Sequence, residues 1–170
     1  SFDTVGLYAR DLDDIALFRA GVLALPYEPI AEGSLTGLRV GFCRTTMWDR
    51  ASTATQEKIE HAAAVLAKAG ARVTDFPLEG PFAGFAEAGK TVTGFEFPRT
   101  LTWERTHHAE KISDELLKTV LEPGLKVTLA EYQRAQATIA ACRAWLADAM
   151  GDYDVLLTPS APDEAPEGLS

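Results

Sequence analysis

Asp11-x-Asp13-Asp14, the lone His61, the pair His107-His108, Cys43, Cys142 and Ser160 are the residues whose types and spacing could do chemistry in this chain. Three carboxylates in four positions could ligate a hard cation. A calcium loop, however, needs a further oxygen donor where Ile15 stands, then glycine, then a distant glutamate, and these are missing. Carboxylates gathered at a helix start, facing the positive end of its dipole, account for the cluster better. Adjacent histidines on a helix point about 100° apart and seldom share one ion. No H-E-x-x-H or H-x-H pattern accompanies them, so a solvated pair is expected at 107 and 108. Cys43 has no basic neighbour in sequence to make it a thiolate, and small buried hydrophobes are expected of both cysteines. Gly33, Gly37 and Gly41 do not form a phosphate loop, because G-x-x-x-x-G-K-[ST] is absent and Gly37-Leu38-Arg39-Val40-Gly41 reads as a strand. No G-x-G-x-x-G and no G-x-S-x-G elbow occurs. Ser160, after Thr158-Pro159, sits where an α/β protein places ligands, though a turn-forming hydroxyl explains it as well.

The elements that would position these groups follow an α/β order. Leu12, Ile15, Phe18 and Val22 recur at helical spacing, and Pro26 and Pro29 close that element. Gly37 to Cys43 is a short apolar run and reads as a buried strand. Thr53-x-x-Gln56 predicts a capping box for a helix with Ile59, Ala62, Ala63 and Leu66 on its buried stripe and Gly70 as its left-handed stop. A second strand, Ala71 to Leu78, completes a βαβ unit, whose strands must be parallel. Phe82, Phe85, Gly89, Val92 and Phe95 suit a helix, with a kink or break expected at Gly94 and Pro98. Ser113 caps a short helix to about Leu121, and Glu122-Pro123-Gly124 reads as a turn. Thr128-x-x-Glu131 predicts a second capping box ahead of the longest helix, with Tyr132, Ala135, Ile139, Cys142, Leu146 and Met150 on one face. Tyr153 to Pro159 is the last strand.

Composition bounds the function. The chain has 170 residues, with 16 Lys plus Arg against 25 Asp plus Glu for a net charge of −9. That length suits one domain burying about two-thirds of its unfolded surface. The acidic balance argues against a nucleic-acid partner, and no apolar stretch is long enough to span a membrane. Unpaired cysteines point to a cytoplasmic protein. The Ser1-Phe2-Asp3 start and the Glu167-Gly168-Leu169-Ser170 stop read as cuts through a longer sequence, so residues 1–170 are expected to be one segment of a domain truncated at both ends.

Five motifs in order identify a resemblance. Ser1-Phe2-Asp3-Thr4-Val5-Gly6 with Ala9-Arg10 and Asp14-Ile15-Ala16, the strand Gly37-Leu38-Arg39-Val40-Gly41, the stretch Ala67 to Val73, Tyr132-Gln133-Arg134-Ala135, and Tyr153-Asp154-Val155-Leu156-Leu157-Thr158-Pro159-Ser160-Ala161-Pro162 together resemble the amidase-signature enzymes across essentially the whole chain. Glu96 and Arg99 fall in that family's phenylalanine–glutamate helix region. The resemblance implies an α/β/α sandwich on a mixed sheet with outer helices, of which this chain is a part. It implies hydrolysis of a carboxamide C–N bond through a serine acyl-enzyme, aided by a second serine and a lysine, with no metal and no organic cofactor. That triad lies in a Gly/Ser-rich signature which in family order precedes Ser1, so no catalytic residue is assigned here and the chain alone is expected to be inactive. Asp3 and Thr4 resemble the segment behind the nucleophile loop, and Thr158, Pro159 and Ser160 the strand end beside the substrate pocket; Phe95, Glu96 and Trp103 are further candidates for its border. Partners implied are a small-molecule amide and the remaining segments of the parent enzyme, with a homodimer left open. Two alternatives stand: the A subunit of a tRNA-dependent amidotransferase, disfavoured because Asp3-Thr4 replaces D-Q, and a non-catalytic α/β binding or assembly module.

Overall fold

A computed structural model describes residues 6–31, 33–165 and 168. The chain forms two compact units, Ser1–Ser34 and Leu35–Ser170.

The first unit is built on α1 (Leu12–Leu23). Asp11 is its N-cap, in an extended conformation, and its carboxylate accepts from Asp14 N at 2.9 Å. Asp13 accepts from Ile30 N at 3.2 Å. The acidic cluster therefore satisfies backbone donors. The helix stops where Ala24 turns left-handed at φ 52° and Leu25 N donates to Ala20 O at 2.9 Å, ahead of Pro26.

The second unit carries a parallel sheet of order β2–β1–β3, from β1 (Arg39–Phe42), β2 (Arg72–Asp75) and β3 (Val155–Leu157). Val40 pairs with Val73 on one side and Val155 on the other. The fold class is α/β as expected, and all three described strands run parallel, so the antiparallel pair that a mixed sheet implies is not made among the described residues. Val40 and Phe42 are buried. Gly41, between them, leaves its face open to Leu156, which a Cβ there would strike, and to Tyr153 and Phe76, which it would crowd. Phe76 meets Tyr153 and Trp145 edge-to-face, and Phe82 adds to Trp145, a packing preference of aromatic rings.

Between β1 and β2 runs α2 (Thr53–Lys68), ended by Gly70 at φ +100°. Its cap is Ser52 rather than Thr53, with Ser52 Oγ accepting from Thr55 N at 3.2 Å. Gln56 reaches back past the cap to the carbonyls of Trp48 and Ala51, at 3.0 and 3.2 Å. Two adjacent hydroxyls offer the same local signal, and only the one with extended backbone can cap.

Helices dominate the stretch between β2 and β3: α3 (Phe85–Thr100), α4 (Thr102–His107), α5 (Asp114–Leu116), α6 (Glu122–Leu125) and α7 (Leu129–Ala149), with a π turn, Leu117–Leu121, joining α5 to α6. Two sequence expectations fail here, each for its own reason. α3 runs through Gly94 and Pro98 without breaking, and Glu122-Pro123-Gly124 is helical rather than a turn. Pro98 deprives the Gly94 carbonyl of its i+4 donor. That carbonyl instead faces Gly124, so closely that a Cβ on Gly124 would overlap it and lie 2.9 Å from Pro98 Cγ. A Cα–H···O approach of this kind is available only to glycine. Upstream, Glu122 N donates to Leu117 O across the π turn, a register that precedes Pro123.

α7 is the longest helix, as predicted, and its capping box is complete: Glu131 N donates to Thr128 Oγ1 at 3.2 Å and Thr128 N to Glu131 Oε2 at 2.8 Å. Its Ala135 and Ile139 bury against Ala88 and Val92 of α3. Among the described residues no helix is long and apolar enough to cross a membrane.

Candidate functional site

Parallel strands bring three carboxyl ends to one edge. Cys43 follows β1, Phe76 follows β2 and Thr158 follows β3, tied by Cys43 N to Leu157 O and Phe76 N to Phe42 O, both at 2.9 Å. The chain leaves β1 on one side for β2 and returns on the other as β3. The gap between the ends of β1 and β3 is thus a topological switch point, where open α/β sheets bind ligands. Thr158 and Ser160 are exposed there and Pro159 is half-buried. Downstream, Ser52 N donates to Pro162 O at 2.8 Å and so anchors this segment to the start of α2.

Beside it, Arg44 is already committed. Its guanidinium pairs with Asp75 at 2.7 Å and Glu60 at 3.7 Å and lies over the Phe42 ring, 4.2 Å from its centroid. Cys43 is buried, which pushes its thiol up and away from thiolate. Burial does the same to Cys142.

The remaining sequence candidates divide. Asp3 and Thr4 lie outside the described residues. Phe95 stacks on Tyr132 of α7 at 4.2 Å, with Arg99 on its other face at 3.6 Å. Tyr132 O–H donates to Glu96 at 2.7 Å, and this bond pushes its phenol up; Gln136 donates to the same hydroxyl at 2.8 Å. Arg99 also donates to the Phe95 carbonyl at 2.7 Å. The group ties α3 to α7. Trp103 belongs to an exposed cluster on α4. His107 stacks on it at 5.2 Å and donates Nδ1–H to its carbonyl at 3.0 Å, while His108 meets it edge-on. His107 is exposed and His108 partly so, as a solvated pair should be, and both rest against the exposed indole.

Two features were not foreseen. The first is Arg39, which grips Asp154 with Nη2–Oδ1 at 2.7 Å and Nε–Oδ2 at 3.2 Å, while Arg39 N donates to Oδ2 at 2.8 Å. Arg39's side-chain bond holds the carboxyl down at about 2. This fork joins the starts of β1 and β3, the two strands that flank the site, and both residues stand in the motifs quoted above. The second is a cavity of about 560 Å³ between α3 and Thr119–Val127, lined by Glu87, Lys90, Thr91, Gly94, Pro123 and Gly124 among others. Its signal was the pairing of Gly94 with Pro98 and of Pro123 with Gly124. None of its lining residues is at a strand end.

Comparison with known proteins fits this arrangement. The chain is 32% identical, over 173 residues, to 2-amino-5-chloromuconic acid deaminase of Comamonas testosteroni, covering 98% of this chain and 36% of that protein. It therefore spans about a third of that relative's length. In fold it resembles a chain of an inhibitor-bound vestigial protein complex, described as revealing the evolutionary origins of an s-triazine catabolic enzyme, with a TM-score of 0.71 at 21% identity over 93% of this chain and 36% of that one. A second structure of that complex gives a TM-score of 0.65 at 21% identity, over 84% and 31% of the two chains. The pattern of the Amidase family matches residues 1–168, and the chain belongs to that family.

Proposed function

We propose that residues 1–170 are the sheet-and-helix segment of a serine-dependent amide hydrolase of the cytoplasm, supplying part of the substrate pocket wall while the serine, second serine and lysine come from elsewhere in a longer polypeptide. The observation that carries this reading is the position of Thr158, Pro159 and Ser160 at the carboxyl end of β3, beside the switch point, in a chain of the amidase family. Asp3 and Thr4 would support the nucleophile loop from behind.

Two other serines among the described residues have structural work. Ser52 and Ser113 spend their hydroxyls as helix caps, accepting from Thr55 N and Leu116 N. All six lysines are exposed, with Lys90 paired to Glu87 and Lys118 to Asp114. A lysine that shuttles protons needs a depressed pKa, which burial would supply and exposure does not. Two free, buried cysteines suit a reducing compartment. In the intact enzyme the serine oxygen would bond to the substrate carbonyl carbon, the C–N bond would break with the amine taking the serine's proton through the lysine, and water would then release the acid. Loss of ammonia by C–N cleavage is also what the name of the deaminase relative describes.

Labelling the longer gene product with a fluorophosphonate and mapping the adduct tests the reading. The modified serine is expected outside residues 1–170, and an adduct on Ser52, Ser113 or Ser160 would overturn it. Thr158→Val and Ser160→Ala should raise KM for a carboxamide by about threefold to tenfold, the effect of one lost hydrogen bond, with kcat nearly unchanged.

A further inference from the structure

A polar pocket of about 360 Å³ lies against the sheet, lined by Arg39, Arg72, Thr74, Asp152 and Tyr153 and wholly within the Leu35–Ser170 unit. Arg39 and Arg72 stand directly opposite in the β1–β2 register, and like charges so opposed repel. The fork to Asp154 draws Arg39 away: that carboxylate holds its Nε and Nη2, and Nη1 donates to Gly151 O at 3.4 Å. Arg72, on the exposed strand β2, has no carboxylate partner among the described residues. Asp152 acts on Arg39 only at a distance and makes no ion pair among those residues.

Gly41 brings the hydroxyls into the pocket. Having no Cβ, it lets the Tyr153 ring cross β1, 3.0 Å from where that atom would stand. The Tyr153 hydroxyl thereby reaches β2, donating to Asp75 O at 3.2 Å and accepting from Thr74 Oγ1 at 3.5 Å. The single proton of each hydroxyl is engaged, so what both still offer is a lone pair. The pocket therefore holds one cation without a partner, one carboxylate without a partner and two acceptor oxygens.

We infer that this pocket binds a small aminocarboxylate as its zwitterion, with the carboxylate on Arg72 and the ammonium on Asp152, Thr74 and Tyr153. Charge selects the class. Once the Arg39–Asp154 fork cancels, one positive and one negative group remain, and a ligand carrying both signs complements both. A dianion such as phosphate would meet Asp152 and Asp154, in a chain of net charge −9. A plain cation would meet Arg72. Arginine's planar fork matches a carboxylate in two parallel bonds, and an ammonium has three donors to place. The volume stands at the small end of the range for ligand pockets, about 300–1,000 Å³.

Calorimetric titration of the full-length protein with glycine, β-alanine and 4-aminobutyrate, three zwitterions of increasing charge separation, tests this. Acetate and methylammonium serve as half-ligands. At least one zwitterion should bind at least about tenfold more tightly than either half-ligand, the gain from a second charge-assisted contact. Arg72→Gln and Asp152→Asn should each weaken that zwitterion by about tenfold. Both positions are exposed, so the variants should keep the parent's urea midpoint, which separates a lost contact from a lost fold. Acetate binding as tightly as every zwitterion would overturn the inference in favour of a plain anion site. Unchanged affinity in Arg72→Gln, or no binding of any of the three zwitterions, would overturn it outright. None of these outcomes bears on the amide-hydrolase reading, which the inference does not use.

Discussion

Helices α1 and α7 are both rich in alanine and leucine, yet they resolve their apolar surface in opposite ways. α7 buries Ala135, Ile139 and Cys142, meets Ala88 and Val92 of α3, and turns Glu131, Arg134, Arg143 and Asp148 to solvent. α1 caps itself as neatly through Asp11 but buries Ala20 alone. Local signals make a helix in both places. Only in α7 does the same unit also supply the partner surface, and the lesson is that local capping makes a helix without burying it.

Substitutions can break or sharpen that contrast. Ile139→Ala should cost about 3 kcal/mol, the price of a cavity in a closed core, whereas Leu17→Ala should change stability by less than about 0.5 kcal/mol; urea unfolding of the two variants measures the gap. Gly124→Ala should cost about 2 kcal/mol by forcing α6 away from the Gly94 carbonyl, read as a lowered denaturation midpoint. Thr128→Ala removes the α7 cap and should cost about 1 kcal/mol in the same experiment. Gly21→Ala in α1, where an added Cβ meets nothing within 4 Å, should instead stabilise the helix by about 0.5–1 kcal/mol, visible as increased ellipticity.

The smallest effect concerns the Arg39–Asp154 fork, an exposed pair that solvent screens. Its carboxyl is depressed from 3.8 to about 2 on folding. The stability it adds is therefore full above about pH 4 and is lost as pH falls toward 2. Asp154→Asn should flatten the acid-unfolding profile in that window, with a small loss of stability that is present at neutrality and vanishes as pH falls toward 2.

Much of this was legible in the residues. Capping is local, so Thr128 and Glu131 announced α7 and Gly70 announced the end of α2. The strands before and after α2 and the final Val155–Leu157 strand followed from short apolar runs, and from them the edge where Thr158, Pro159 and Ser160 lie. The errors came from contacts distant in sequence. Pro98 and Pro123 look like breakers because proline's cost is local; Gly124 closing on the Gly94 carbonyl relieves the first, and a place in the first turn of α6 relieves the second. Arg39 and Asp154 are too far apart in the chain for their spacing to signal a pair.

Release of ammonia from simple carboxamides by the purified 170-residue chain tests the central claim most directly, namely that this is an amidase-family segment whose chemistry is supplied from outside it. The account predicts none above the buffer rate. Turnover abolished by a serine-directed fluorophosphonate would contradict it.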